Sequence, residues 1–165
     1  MNKLYCTKCN EERDIIFKNE IETYPVKGED ISINAQVSYC TSCGEQVFNP
    51  ELDNENLKNA YRVYRSLHKL LQPEEIKEIR ESYGLSQVSF ARILGFGDKT
   101  IARYENGSLQ EEAQNNLLIL VKNFINFDML LDNHIDRLSS SDYSKAKSVI
   151  YSLMNVKQPS INVVN

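Results

Sequence analysis

The sequence predicts a mainly α protein with a small β module stapled at its N-terminus, and three observations carry that prediction. All four cysteines of the 165-residue chain fall in two identical C-x-x-C knuckles, Cys6-Thr7-Lys8-Cys9 and Cys40-Thr41-Ser42-Cys43. Between the knuckles apolar and polar residues alternate with period two, the mark of a half-buried strand. From Asn54 onward the apolar spacing lengthens to three and four, the mark of helices packed through one stripe.

A C-x-x-C turn holds two sulfurs close enough to take two corners of a tetrahedron. Two such turns supply the four thiolates of a closed structural Zn²⁺ site with no open position for water. Cys6, Cys9, Cys40 and Cys43 are therefore the predicted metal ligands, and the zinc builds the fold without catalysing. Asn10 and Gly44 follow the second sulfur of each knuckle, where the chain turns back through positive φ, a region open to glycine and tolerated by asparagine. Two other readings compete. A redox dithiol needs a single C-x-x-C in a βαβ setting, which is missing; structural disulfides need an oxidising compartment, and Met1–Tyr5 shows no apolar secretory stretch. The cytoplasm is the expected location. His68 and His134 stand alone on helix faces and are not credible ligands.

Within the module, Glu20–Val26 and Ile31–Tyr39 read as two strands joined by a turn at Lys27-Gly28-Glu29-Asp30. Ile31, Ile33, Ala35, Val37 and Tyr39 form its core face, and Pro25 confines its strand to an edge. The hairpin returns Cys40 beside Cys9, so residues 1–50 make one zinc-binding β domain. Residues 51–72 then read as an amphipathic linker helix, with Leu57, Ala60, Tyr61, Tyr64, Leu67 and Leu71 on one stripe.

Pro73 restarts the chain at a helix N-terminus, and residues 73–125 form a series of short helices of about nine residues. Ile76, Ile79 and Tyr83 mark the first, stopped at Gly84; Ser86 caps the second, which ends at Gly95; Asp98 caps the third, which ends at Asn106-Gly107. A fourth, Glu111–Ile125, is apolar on most sides and is expected to be a central buried helix or part of a subunit interface. Residues 126–156 add a helical extension for dimerisation or partner binding, with an N-cap at Ser139–Asp142, and residues 157–165 a flexible tail. The longest apolar run, Leu117–Val121, is far too short for a membrane span. The net charge of −4 excludes a globally basic nucleic-acid binder, so any such role needs a local cationic face.

Lys99 and Arg103, four apart at the start of the third helix, supply that face. Leu85-Ser86-Gln87, Ala91-Arg92-Ile93-Leu94-Gly95 and Thr100-Ile101-Ala102-Arg103-Tyr104-Glu105-Asn106-Gly107 resemble the helix-turn-helix of Xre/Cro-type regulators. In that geometry the third helix enters the major groove by its N-terminal half. Arg103 then takes a guanine through two hydrogen bonds, Lys99 reaches guanine acceptors or a phosphate, and Thr100 offers a hydroxyl and a methyl. Gln87, at the start of the second helix, falls near a phosphate. Ile101 and Tyr104 belong to the core, and Glu105 caps or pairs locally.

The whole order, two knuckles, the segment Cys43–Asn49, an amphipathic helix and Xre-like helices, resembles the YgiT/MqsA family of zinc-finger and helix-turn-helix antitoxins over about residues 1–125. The resemblance implies an N-terminal zinc domain that neutralises a toxin, and a C-terminal domain that dimerises on palindromic double-stranded operator DNA and represses its own operon. By position it assigns zinc to the four cysteines and base reading to Arg103. Where the family carries a second base reader, an asparagine, this chain has Lys99, so a different operator sequence is implied. The residues after about 125 have no counterpart in the short MqsA form. The expected function is thus a homodimeric transcriptional regulator, the antitoxin of a toxin–antitoxin pair. The alternatives are a stand-alone repressor or a zinc-stabilised interaction module without a toxin. An enzyme is not expected, because the cysteines are consumed in pairs and there is no HExxH or nucleophile beside a base.

Overall fold

The computed structural model describes residues 3–156, and the predicted tail, 157–165, lies outside the described residues. The chain forms two compact units, the first ending at Lys69 and the second beginning at Leu70.

The first unit is an antiparallel sheet of β1 (Lys3–Cys6), β2 (Glu11–Val26) and β3 (Glu29–Cys40) in that order, packed against α1 (Pro50–Leu67). The β2–β3 register runs without a bulge from Ile15↔Cys40 to Val26↔Glu29. Its hairpin is tighter than expected. Only Lys27 and Gly28 turn, both with positive φ as a two-residue hairpin of the favoured twist requires, while Glu29 and Asp30 are paired strand residues. β2 also begins nine residues before Glu20, because Glu11–Asp14 pair with β1 and Ile15–Asn19 extend the ladder with β3. Ile31, Ile33, Ala35 and Val37 are buried on one face.

α1 starts and ends earlier than the predicted linker helix. Asn49 caps it by accepting from the N–H groups of Glu51 and Leu52, and Lys69, with φ of 55°, lies just beyond its end. The buried stripe is also rotated from expectation: Asn56, Ala60, Tyr64 and Arg65 face inward, while Leu67 is 65% exposed. The reason is the strand beneath. Gln36 donates its backbone N–H to Asn56 Oδ1 at 3.3 Å, and its carbonyl accepts from Asn56 Nδ2 at 2.9 Å, so one amide side chain finishes the β3 edge as a neighbouring strand would. His68 is not isolated: it stacks on Tyr64 and its Nε2 lies 2.9 Å from Glu29 Oε2.

The second unit holds α2 (Pro73–Ser82), α3 (Gln87–Ile93), α4 (Thr100–Glu105), α5 (Glu112–Leu120), α6 (Phe124–Asn133), a short 3₁₀ turn at Ile135–Arg137 and α7 (Ser140–Val156). One core joins them, centred on Ile76, Tyr83, Phe90, Ile101, Leu118 and Phe127. The expected continuous helix Glu111–Ile125 is broken. After Leu120 the chain tightens, Tyr83 Oη takes the Val121 carbonyl at 2.6 Å, and Asn123 starts a new helix by accepting from the Ile125 N–H. Leu118 is buried, but Ile119, Leu120 and Ile125 are exposed, so this segment is not buried on all sides. α7 is tied on by Ser89 Oγ donating to Asp142 Oδ2 and by Lys147, whose Nζ pairs with Asp128 and Asp132. No described helix is long and apolar enough to cross a membrane.

Candidate metal centre and nucleic-acid interface

The two knuckles close on one another at the β1–β2 end of the sheet. In each, the first cysteine's carbonyl accepts from an N–H four residues on, Asn10 to Cys6 at 2.8 Å and Gly44 to Cys40 at 3.0 Å. Asn10 and Gly44 both have positive φ, 57° and 73°, which turns the chain back beneath the sulfurs. The knuckles are joined by the pair Lys8 Nζ to Glu45 Oε1 at 2.6 Å and by Thr41, whose N–H donates to the Asp14 carbonyl.

The four Sγ atoms lie within 4.8 Å of one another. Cys6 and Cys43 are 3.5 Å apart and Cys9 and Cys40 3.9 Å, far longer than a disulfide and close to the edge of about 3.8 Å for a tetrahedron with metal–sulfur bonds of about 2.3 Å. Backbone N–H groups of Cys43 and then Ser42 draw the Cys40 thiol down to about 6, toward the thiolate a metal requires. Hydrogen bonding to Cys43, with burial next, pushes Cys9 up to about 12, the proton cost of crowding sulfurs around one point. Cys6 and Cys40 are buried beside Val47, and Cys9 and Cys43 half-buried. The donor set is suited to a metal ion such as zinc.

The second site is the α3–α4 pair. Ser86 caps α3 by accepting from the Ser89 N–H at 3.1 Å, and Gly95 ends it with φ of 71°. At seven and six residues, α3 and α4 are shorter than the nine expected. Asp98 does not cap α4. Both its oxygens are held by Arg92, at 3.0 and 2.7 Å, and Lys99 is the residue at the cap position. That pairing depresses the Asp98 carboxyl below its usual range.

A buried pair that the sequence did not disclose sets the angle of α4. Arg80 on α2 donates to both oxygens of Glu105, Nε to Oε1 at 2.6 Å and Nη2 to Oε2 at 3.0 Å, and gives Nη1 to the Leu85 carbonyl at 2.9 Å. Gln87 Nε2 donates to the same Glu105 at 2.7 Å. The predicted phosphate contact Gln87 is thus a half-buried member of this lock, with its amide nitrogen already engaged. Lys99 and Arg103 are exposed and Thr100 half-buried, with Ile101 and Tyr104 buried on the opposite side of α4.

A four-cysteine cluster on a small sheet followed by a helical unit fits the zinc-finger antitoxins. The family described as the antitoxin component of the bacterial toxin-antitoxin system, MqsA, matches residues 4–139, and the chain belongs to it. The match runs past residue 125, through α6 and the 3₁₀ turn, so of the residues after 125 expected to lack a counterpart, only α7 among the described elements lies beyond it. No curated protein matches the chain.

Proposed function

We propose that this antitoxin is a homodimeric, sequence-specific DNA-binding repressor of its own operon. It binds its toxin through the zinc-binding unit and acts in the cytoplasm by binding, without catalysis. Zn²⁺ is held by Cys6, Cys9, Cys40 and Cys43, where it fixes the two knuckles, and these ligands leave no position for substrate. The observation that supports DNA reading is the division of labour on α4. Glu105 and Tyr104 anchor the helix, while Lys99, Thr100 and Arg103 stand on the face away from the core. Arg103 then reads a guanine, Lys99 a guanine or phosphate, and Thr100 a methyl or acceptor, with two copies one helical turn apart on a palindrome. Gln87 serves this reading by orienting Glu105, with its amide oxygen left for a phosphate-bound water.

The test is a mobility shift on the promoter upstream of the gene. Arg103→Ala is expected to cost at least tenfold in affinity and to relax specificity at one base position, whereas equal binding of both proteins to any duplex refutes the reading. Metal analysis should return one zinc per chain, and chelation should unfold residues 1 to about 50 while the helical unit keeps its circular dichroism.

A further inference from the structure

The β3 edge is closed from Gln36 to Cys40. Asn56 finishes it at Gln36, the Val47 N–H donates to the Ser38 carbonyl, and the Cys40 N–H donates to the Glu45 carbonyl. The opposite edge of the sheet is different. β1 covers β2 only from Glu11 to Asp14, and beyond that β2 is paired on one side alone. The Asp14 carbonyl points toward β3, where it accepts from Thr41, so with an unbroken register the even residues of β2 face β3 and the odd ones face outward. Phe17, Asn19, Ile21 and Thr23 therefore present their N–H and C=O groups at an open edge. Phe17 is 42% and Ile21 74% exposed. Such an edge is a template for another strand, and natural sheets usually blunt it.

We propose that the β2 edge from Phe17 to Thr23 is where the N-terminal unit adds a strand of its protein partner, an extended segment that is apolar on one face and basic on the other. This rests on the reading that the N-terminal unit binds the toxin. The chemistry of the strand follows from the two faces. Phe17 and Ile21 lie on the face away from α1 and call for apolar side chains opposite. Lys18, Glu20 and Glu22 share the other face, opposite Val37, Ala35 and Ile33. Glu20 and Glu22 each accept only a tyrosine hydroxyl, from Tyr39 and Tyr24, and neither is paired with a cation among the described residues. Lys18 is drawn aside over the Tyr39 ring at 4.3 Å. The edge is thus acidic where a partner would lie.

A second copy of the chain fits this edge poorly. Centring two antiparallel β2 strands on Asn19 sets Lys18 against Glu20, but it lays the copy's Tyr24–Val26 on the places opposite Glu12–Asp14 that β1 already holds. The registers that clear β1 with the longest overlap centre on Ile21 or Glu22, and set glutamate against glutamate.

The test uses the full-length, zinc-loaded chain and the toxin encoded beside it. Two variants report on the edge: Asn19→Pro, which removes one outward N–H and leaves the β3 ladder intact, and Glu20→Lys/Glu22→Lys, which reverses its charge. Each should weaken toxin binding at least tenfold with zinc content and melting temperature unchanged, while Arg103→Ala binds as tightly as the parent. Toxin should slow hydrogen exchange at the amides of Phe17, Asn19, Ile21 and Thr23. Unchanged affinity in both variants, or unprotected amides in the complex, overturns the proposal. A solution mass that falls from dimer to monomer in Asn19→Pro without toxin also overturns it, by assigning the edge to a second copy. Should the parent capture no toxin, the antitoxin reading fails on its own. The edge is then tested with synthetic peptides of alternating valine and lysine or valine and glutamate. Preference for the basic peptide, lost in Asn19→Pro, supports the edge, and no preference refutes it.

Discussion

Glu105→Ala tests whether the buried lock holds the helical unit together. The Glu105 side chain is 6% and the Arg80 side chain 10% exposed, so the substitution strands a guanidinium where water scarcely reaches. It removes both charge-assisted bonds from Arg80 and the one from Gln87, leaving Arg80 the Leu85 carbonyl at 2.9 Å and a marginal contact to Glu81 at 3.4 Å. Removing one partner of a buried pair costs about 3–5 kcal/mol, and the surviving carbonyl bond places this case near 3 kcal/mol. For a unit of this size that is a fall of about 15 °C in the melting temperature of the helical transition. The assay is thermal and urea unfolding followed by circular dichroism on the full chain. Glu105→Gln, which keeps one acceptor, should fall between. The double variant Arg80→Met/Glu105→Leu, which removes both charges, should recover most of the loss. A loss below about 1 kcal/mol in Glu105→Ala, or a double variant worse than the single, would refute the lock.

Asn56→Ala leaves the outward N–H and C=O of Gln36 without their partner under α1, and should destabilise the N-terminal unit by about 1–3 kcal/mol in urea titration. Lys147→Met should loosen α7, read as faster amide exchange in residues 140–156. Lys147 holds the Asp132 carboxyl below its usual range, so that part of the stability is present above the unfolded carboxylate pKa of about 4 and is lost as pH falls through the folded value. The gap in melting temperature between parent and variant should therefore narrow from pH 6 to pH 3, and a gap that widens contradicts the pairing. On the proposed DNA reading, Arg92→Ala exposes the unpaired Asp98 carboxylate beside the start of α4, weakening operator binding several-fold. Arg92→Ala/Asp98→Asn should regain most of that affinity in the same mobility shift.

What could be read from the sequence was what depends on neighbours along the chain. The knuckles are local, so the four cysteines and the turn residues Asn10 and Gly44 were legible from spacing alone. The core face of β3 was legible because α1 covers it and water bathes the other. The first half of β2 was not, since its side chains are mostly exposed and no alternation is imposed on them. Asp98 reads as an N-cap because a carboxylate before a helix usually serves there, and only the fold brings Arg92 into competition. Asn56 and Asn123 escaped for a related reason. Each uses its amide on backbone, one on a strand twenty residues away and one inside what reads as a continuous apolar helix.

The acidic balance of the chain, an objection to DNA binding when charges are only counted, changes meaning once they are placed. In the helical unit Glu105 is consumed by Arg80, Asp98 by Arg92, Glu81 by Lys77, Glu75 by Lys122, and Asp128 and Asp132 by Lys147. The one-to-one pairs cancel at short range and contribute little field at a Debye length of about 8 Å, and one negative charge is left over where Lys147 meets two aspartates. Lys99 and Arg103, exposed on α4, have no carboxylate partner among the described residues. On the proposed DNA reading, those two cations are what α4 itself presents to a duplex. In the N-terminal unit the same reasoning runs the other way. Glu20 and Glu22 have no cation partner among the described residues, and on the proposed docking the acidic stretch of open strand they create favours a basic strand. On the proposed function, the two units carry opposite local charge, cationic on α4 for a duplex and acidic on β2 for a basic strand.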